Sequence, residues 1–229
     1  MCLAEAGHDI VLAGRRPEPL GKAAAAIAER TGAGVGTGVA DLAVDCPSQA
    51  AAADVLVLNA GGPPPGRILE LGDDDWQHAF DLLLRGPLRL ARAALPAMAA
   101  RGFGRVVLVT STAVRQPQPD LAASVVLRAA ATSAAKLLAR EYADRGVTVN
   151  CVAPGPTATE RRHAILSARA ERTGRTHAEL DAADVATVPA GRAGLPEEIG
   201  AAVAFLASAA ASYVNGTVLT VDGGRTETP

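Results

Sequence analysis

The apolar positions of this chain fall into two alternating patterns. Short continuous apolar runs, at 9–13, 54–58, 105–110, 147–152 and 217–221, have the length and continuity of buried strands. Between them lie longer Ala-rich stretches with helical spacing, at 18–30, 73–100, 119–145 and 160–185, and one that starts at Pro196. Residues 35–40 read as a weaker strand. Pro196 fits a first helical turn, where its missing N–H costs nothing. Asp73, Asp74 and Asp75 sit where a helix N-terminus favours negative charge. Strand–helix alternation with uninterrupted apolar strands predicts an α/β fold with a doubly wound parallel sheet, Rossmann-like in class. No linker or internal repeat divides the 229 residues, so one domain over 1–229 is expected.

Composition narrows the function classes. The net charge is −2 and aromatics are 3%, so neither a basic footprint nor a stacking platform for nucleic acid is present. No apolar run reaches the roughly 18 to 20 residues of a membrane span, and no signal peptide opens the chain, so no membrane role is expected. Cys2, Cys46 and Cys151 have no metal or redox spacing, and a reduced cytoplasmic setting is expected. His8, His78, His163 and His177 show no metal pairing, so no metal site is expected. There are only two lysines, Lys22 and Lys136, against twenty arginines.

Five segments carry a family resemblance. They are Leu58, Asn59, Ala60 and Gly61; Ser111 with Ser124 thirteen residues on and Arg128 four beyond that; the stretch from Val149 to Gly155; the stretch from Gly191 to Glu198; and Val221, Asp222, Gly223 and Gly224. In this order and spacing they resemble the short-chain dehydrogenase/reductase family, especially its 3-oxoacyl-ACP-reductase-like members. The resemblance implies a nicotinamide dinucleotide in the crevice at the strand C-termini. It places Asn59, Ala60, Gly61, Pro154, Gly155, Thr157 and Thr159 at that crevice. It also places Asp41 and Leu42 at the adenine and Arg15 and Arg16 beside the ribose. Two cations there favour the 2′-phosphate of NADP, with NAD the alternative. A small-molecule substrate and a homodimer or homotetramer are further implications. The Ala-rich face of residues 121–138 is the expected contact between copies.

The departures matter as much. The family's first strand and its glycine-rich turn have no counterpart here, and residues 1–7 resemble the end of the first helix. Gly32 to Gly38 is no substitute, because it follows a helix and enters a strand. The expected sheet therefore lacks a central strand. An upstream start is favoured over a truncated and repacked chain. Where the family carries Tyr and Lys, this chain has Ser124 and Arg128, and Leu83 stands at the family's relay Asn. Serine is a far weaker acid than tyrosine, and arginine does not give up its proton. Ser111 is retained. Ser111, Ser124 and Arg128 are the candidate catalytic residues. Tyr142 and Lys136 lie too far along the helix to stand in. Arg161, Arg162 and His163 lie in the segment that covers the substrate in the family; they read as a solvated helix face, with contact to an acidic substrate the alternative. Three functions remain open: an NADP-dependent reductase with altered proton delivery, a non-redox isomerase, dehydratase or cyclase on the same fold, and an inactive partner of a competent paralogue.

Overall fold

The structure, a computed structural model, describes residues 1–228. In chain order the main elements are α1 (Cys2–Glu5), β1 (Ile10–Gly14), α2 (Pro17–Thr31), β2 (Val35–Val39), β3 (Val55–Leu58), α3 (Asp73–Phe80), α4 (Gly86–Arg101), β4 (Gly104–Val109), α5 (Ala122–Tyr142), β5 (Val147–Pro154), α6 (Glu160–Thr173), α7 (His177–Val185), α8 (Pro196–Ala207) and β6 (Val218–Val221). Every strand predicted from the apolar runs forms, displaced by no more than two residues at its ends.

All pairing is parallel, but the sheet is divided. β3, β4, β5 and β6 form one four-stranded sheet in that order, and β1 with β2 forms a separate pair. Among the described residues, the free edges of β1 and β3 have no strand partner. The division falls where the resemblance implies one more strand. Its effect is visible on β1 and β2, where Val11 and Val39 are left largely exposed, whereas β4 and β5 are buried almost throughout.

Period-two alternation distributes the core over two faces of the larger sheet. Leu56, Leu58, Val106, Leu108, Val149 and Cys151 pack against Leu90, Ala94 and Leu95 of α4 and Ala131, Ala135 and Ala139 of α5. Val107 and Val152 point the other way, onto Val203 and Leu206 of α8. The result is three layers, with the strand C-termini aligned along one edge.

Two helices differ from their expected form. The stretch 73–100 is interrupted by a π-helical turn at Asp81–Arg85, and 160–185 is broken by Gly174 in a left-handed C-cap. A further correction concerns membrane spans. Residues 122–145 are long and apolar enough to cross a bilayer by length and composition, because alanine tolerates either setting. This helix instead buries Leu127, Ala131, Ala135 and Ala139 within the protein.

The turn from α5 into β5 depends on Gly146. Its φ is +72°, and a Cβ there would stand 2.0 Å from the Gly102 carbonyl oxygen. Both objections are to backbone, so neither relaxes cheaply. Gly146→Ala is expected to cost about 3 kcal/mol or more in urea denaturation. A loss below about 1 kcal/mol would contradict this account of the turn.

Candidate active site

Three strand ends supply the floor of one cavity of about 550 Å³. β3 delivers Asn59, Ala60, Gly61 and Gly62, β4 delivers Val109, Thr110, Ser111 and Thr112, and β5 delivers Pro154, Gly155, Pro156 and Thr157. Hydroxyls lock the ends together: Thr110 donates to the Val152 carbonyl at 3.2 Å and Thr112 to that of Pro154 at 3.3 Å. Gly61 has no atom within 4 Å of where a Cβ would stand, so a ligand can approach the backbone there. Thr159 caps α6, its Oγ accepting the Arg162 amide at 3.3 Å.

The first turns of α5 bring Ser124 and Arg128 to the same cavity, one above the other as i, i+4 residues. The Arg128 guanidinium reaches back across the strand ends. Its Nε donates to Ser124 Oγ at 3.2 Å and one terminal nitrogen to the Val109 carbonyl at 2.7 Å. The other donates to the carbonyls of Ala60 and Gly61 at 3.3 and 3.2 Å. Arg128 thus joins β3 and β4 to α5 while remaining a cation without a carboxylate partner among the described residues. Burial, and then the charge of Arg161, lower its pKa to about 10, which keeps it protonated at neutral pH. Because Ser124 Oγ accepts from Arg128, its own O–H is free to donate. Ser111 Oγ accepts the Ala113 amide at 3.1 Å and is likewise left with a free O–H.

Leu83 lies within the π-helical turn and is buried among Ala79, Leu82, Ala123 and Leu127. The irregular turn, a shape frequent beside functional sites, carries only an apolar side chain at this position.

A covering layer comes from α6 and α7. Arg162 pairs with Asp181 and, at 3.0 Å, with Asp184, which also holds Arg225 at 3.1 Å. Arg169 grips Asp120 with two bonds of 2.5 and 3.0 Å and Gln118 with a third of 2.9 Å, while Arg172 reaches Asp120 at 3.2 Å. The loop ahead of α3 is pinned to the same place, Gly66 donating to the Asp120 carbonyl at 2.8 Å and accepting from Ala122. Burial pushes the Asp120 carboxyl up, but the hydrogen bonds and charge of Arg169, with Arg172, outweigh it and leave it below the usual carboxylate range. A depressed acid stabilises the fold above its unfolded pKa, near 3.9, and loses that contribution as pH falls through the folded value. Asp120→Asn is therefore expected to cost about 2 kcal/mol at neutral pH, intermediate between exposed and buried pairs. The deficit should shrink toward zero below about pH 4 in denaturation measured across pH. A pH-independent deficit would contradict the ion pair as its cause.

Ten of the sequence-derived site residues, namely Ser111, Ser124, Arg128, Asn59, Ala60, Gly61, Pro154, Gly155, Thr157 and Thr159, line this one cavity. Arg15, Arg16, Asp41 and Leu42 do not. Arg15 and Arg16 are exposed beyond β1, and Asp41 accepts the Ala43 amide in a turn. Leu42 is partly buried against the core, with its carbonyl close to Gly86. The reading of Arg161, Arg162 and His163 as a solvated face is corrected. Arg162 is mostly buried in its ion pairs, Arg161 is half-buried in the cavity wall, and only His163 is exposed, its ring 4.5 Å from that of His177. The sequence allowed Arg161 as a contact for an acidic substrate but favoured a solvated face, and Gly62 was missed as a cavity residue. The doublet of arginines directly after the Pro154–Thr159 segment was the available signal.

A family model described as enoyl-(acyl carrier protein) reductase matches residues 1–226. The 3-oxoacyl-[acyl-carrier-protein] reductase FabG of Salmonella typhimurium is 36% identical over 171 residues, covering 75% of this chain and 66% of that protein. The chain thus spans just under two thirds of the length of this curated relative. Among solved structures, L-sorbose reductase of Gluconobacter frateurii, complexed with NADPH and L-sorbose, has a TM-score of 0.89 at 31% identity, covering 99% of this chain and 90% of that one. An NADPH-bound short-chain oxidoreductase of Pseudomonas aeruginosa PAO1, described as containing an atypical catalytic center, has a TM-score of 0.86 at 28% identity, covering 100% and 92%. With these matches, the parallel sheet and the cavity at its strand ends, the chain belongs to the short-chain dehydrogenase/reductase family, on its 3-oxoacyl-ACP-reductase-like side.

Proposed function

We propose that this chain acts as one domain and as an NADP-dependent oxidoreductase that interconverts a carbonyl and a hydroxyl on a small-molecule substrate, with serine and arginine in place of the family's tyrosine and lysine. The observation that carries the reading is the convergence of Ser111, Ser124 and Arg128 with the ends of β3 and β5 in one cavity.

The residues present fit the nicotinamide end of the cofactor. The bare backbone at Gly61 admits close approach, and Pro154, Gly155, Thr157 and Thr159 line the other side of β4, where the two threonine hydroxyls donate to the Gly155 and Thr157 carbonyls and hold the segment in shape. NADP, when bound, supplies the hydride chemistry. Arg15 and Arg16 are exposed and have no ion pair among the described residues, which suits a 2′-phosphate, although they lie outside this cavity.

The protein's own part is to orient and polarise the substrate oxygen. The free O–H groups of Ser111 and Ser124 donate to that oxygen. Arg128, bonded to Ser124 Oγ, lends positive charge as the oxygen gains negative charge. The proton passes from the Ser124 hydroxyl, which is replenished from water. Arg128 stays protonated throughout. The cover of α6 and α7 limits, without closing off, the access of water to the reacting carbon.

Oligomerisation is proposed through α4 and α5. Leu88, Ala131, Ala134 and Leu138 line a shallow groove between these helices, and Leu137 is exposed nearby. Three unpaired cysteines suit a reducing, cytoplasmic setting.

The test is NADPH consumption across a panel of ketones and keto acids, with Ser111→Ala and Ser124→Ala beside the parent. Turnover that falls in both variants supports the reading. Turnover of a substrate without any nicotinamide would favour the non-redox alternative, and a folded chain inert in every assay would favour an inactive partner.

A further inference from the structure

Six charged side chains line the cavity, and five of them are arginines: Arg128, Arg161, Arg162, Arg169 and Arg225. The sixth is Asp184. Arg162 and Arg225 are both paired to Asp184, and Arg169 is paired to Asp120. Arg128 and Arg161 have no carboxylate partner among the described residues.

These two arginines are held close together. Arg128 donates to the carbonyls of Ala60 and Gly61, and Arg161 donates to that of Pro63 at 2.7 Å. Both guanidinium groups thus sit on one strip of four residues. Arg161 crosses to it from α6, 98 residues away in sequence. Its guanidinium lies flat on Gly62, where a Cβ would stand within 2.5 to 2.6 Å of its nitrogens and central carbon. Burial lowers the pKa of Arg161, and Arg161 in turn lowers that of Arg128. Two cations confined this way repel each other unless an anion sits between them. Of Arg161's five donors, one is used by Pro63, so a fork remains to receive a bidentate oxyanion. The carboxylate Glu160, next to it in sequence, is exposed and does not line the cavity.

We propose that the substrate of this site carries its own carboxylate, and that Arg161 receives it. The natural substrate is then a keto acid or hydroxy acid with a free carboxylate rather than an acyl thioester, whose carbonyl end is neutral. This rests on the carbonyl/hydroxyl reading above and deepens it. The other source of an oxyanion in such a cavity is the dinucleotide's pyrophosphate, and the experiment separates the two.

Dissociation constants of pyruvate, acetoacetate and levulinate, each against its methyl ester, are measured by NMR titration of the 229-residue chain, with and without NADPH. The binding constant of NADPH is measured beside them. A charge-assisted bidentate contact corresponds to roughly 10-fold or more in affinity. At least one acid should bind at least about 10-fold more tightly than its ester. Arg161→Gln should abolish that preference while leaving NADPH affinity within about twofold, and Arg161→Lys should restore part of it. The thermal midpoint of each variant shows that it is folded. Gly62→Ala, which displaces the guanidinium without removing it, should weaken the preference too. Esters binding as well as acids, no binding by any acid, or a preference that survives Arg161→Gln would overturn the proposal. So would Arg161→Gln losing NADPH while keeping the preference, which assigns Arg161 to the pyrophosphate. Binding is read without turnover, so a chain that prefers the acids but never oxidises NADPH would sink the reductase reading and leave this one standing.

Discussion

Ser124→Tyr is expected to raise the rate of carbonyl reduction by about 10²-fold. A positioned general acid contributes on the order of 10² to 10⁴ in rate, and a phenol with a pKa near 10 is a far better proton donor than an alcohol. Position 124 lines the cavity, and the Nε of Arg128 lies 3.2 Å from the serine oxygen. A tyrosine there extends toward the substrate while its ring stays beside a cation that favours the phenolate. The lower end of the range is expected because Leu83 supplies no polar group behind it. Ser124→Phe is the control, since it fills the same space without a proton. Steady-state NADPH consumption reads both. A gain for Phe equal to that for Tyr would show that shape, not proton delivery, limits the parent. No gain for Tyr would mean that proton transfer to the oxygen is not the step in which this chain is deficient.

Arg128→Met is expected to lower stability by about 3 kcal/mol and to abolish activity. Arg128 makes four hydrogen bonds, three of them to the carbonyls of Val109, Ala60 and Gly61. A buried carbonyl left without a donor costs about 1 to 3 kcal/mol. Water can reach part of this cavity, and removing a desolvated charge is itself favourable, so the full sum is not expected. Arg128→Lys should recover part of the loss, since an ammonium retains the charge but cannot reach Ser124 and both strands from a fixed fork. Urea denaturation gives the free energies. A Met variant within about 0.5 kcal/mol of the parent would contradict the role of Arg128 in joining α5 to the strand ends.

Much of this architecture was legible because parallel strands buried on both faces are written as unbroken apolar runs. Residues 105–110 and 147–152 become β4 and β5, the most buried strands of the molecule. Asn59, Gly61, Pro154 and Gly155 were legible as site residues because a strand's C-terminal end is where small residues and turns cluster in such folds. The π-helical turn at Asp81–Arg85 was not, because one extra residue per turn leaves the apolar spacing on either side nearly unchanged. Arg161 was only partly legible, and for a different reason: contact with an acidic substrate was open, but a solvated face was favoured. Its segment is polar throughout, which looks like a helix in water, and its partner Pro63 is remote in sequence. Only the folded chain brings the two together. Arg15 and Arg16 show the opposite limit: their role followed from the resemblance alone, and they lie at the end of β1, outside the cavity.

The central claim is that this cavity takes a nicotinamide dinucleotide beside Ser111, Ser124 and Arg128. Its most direct test is a calorimetric titration of the purified 229-residue chain with NADPH and, separately, NADH. The account predicts micromolar binding of NADPH, weaker binding of NADH, and a loss of the difference in the Arg15→Ala, Arg16→Ala double variant. A folded chain that binds neither dinucleotide would contradict it.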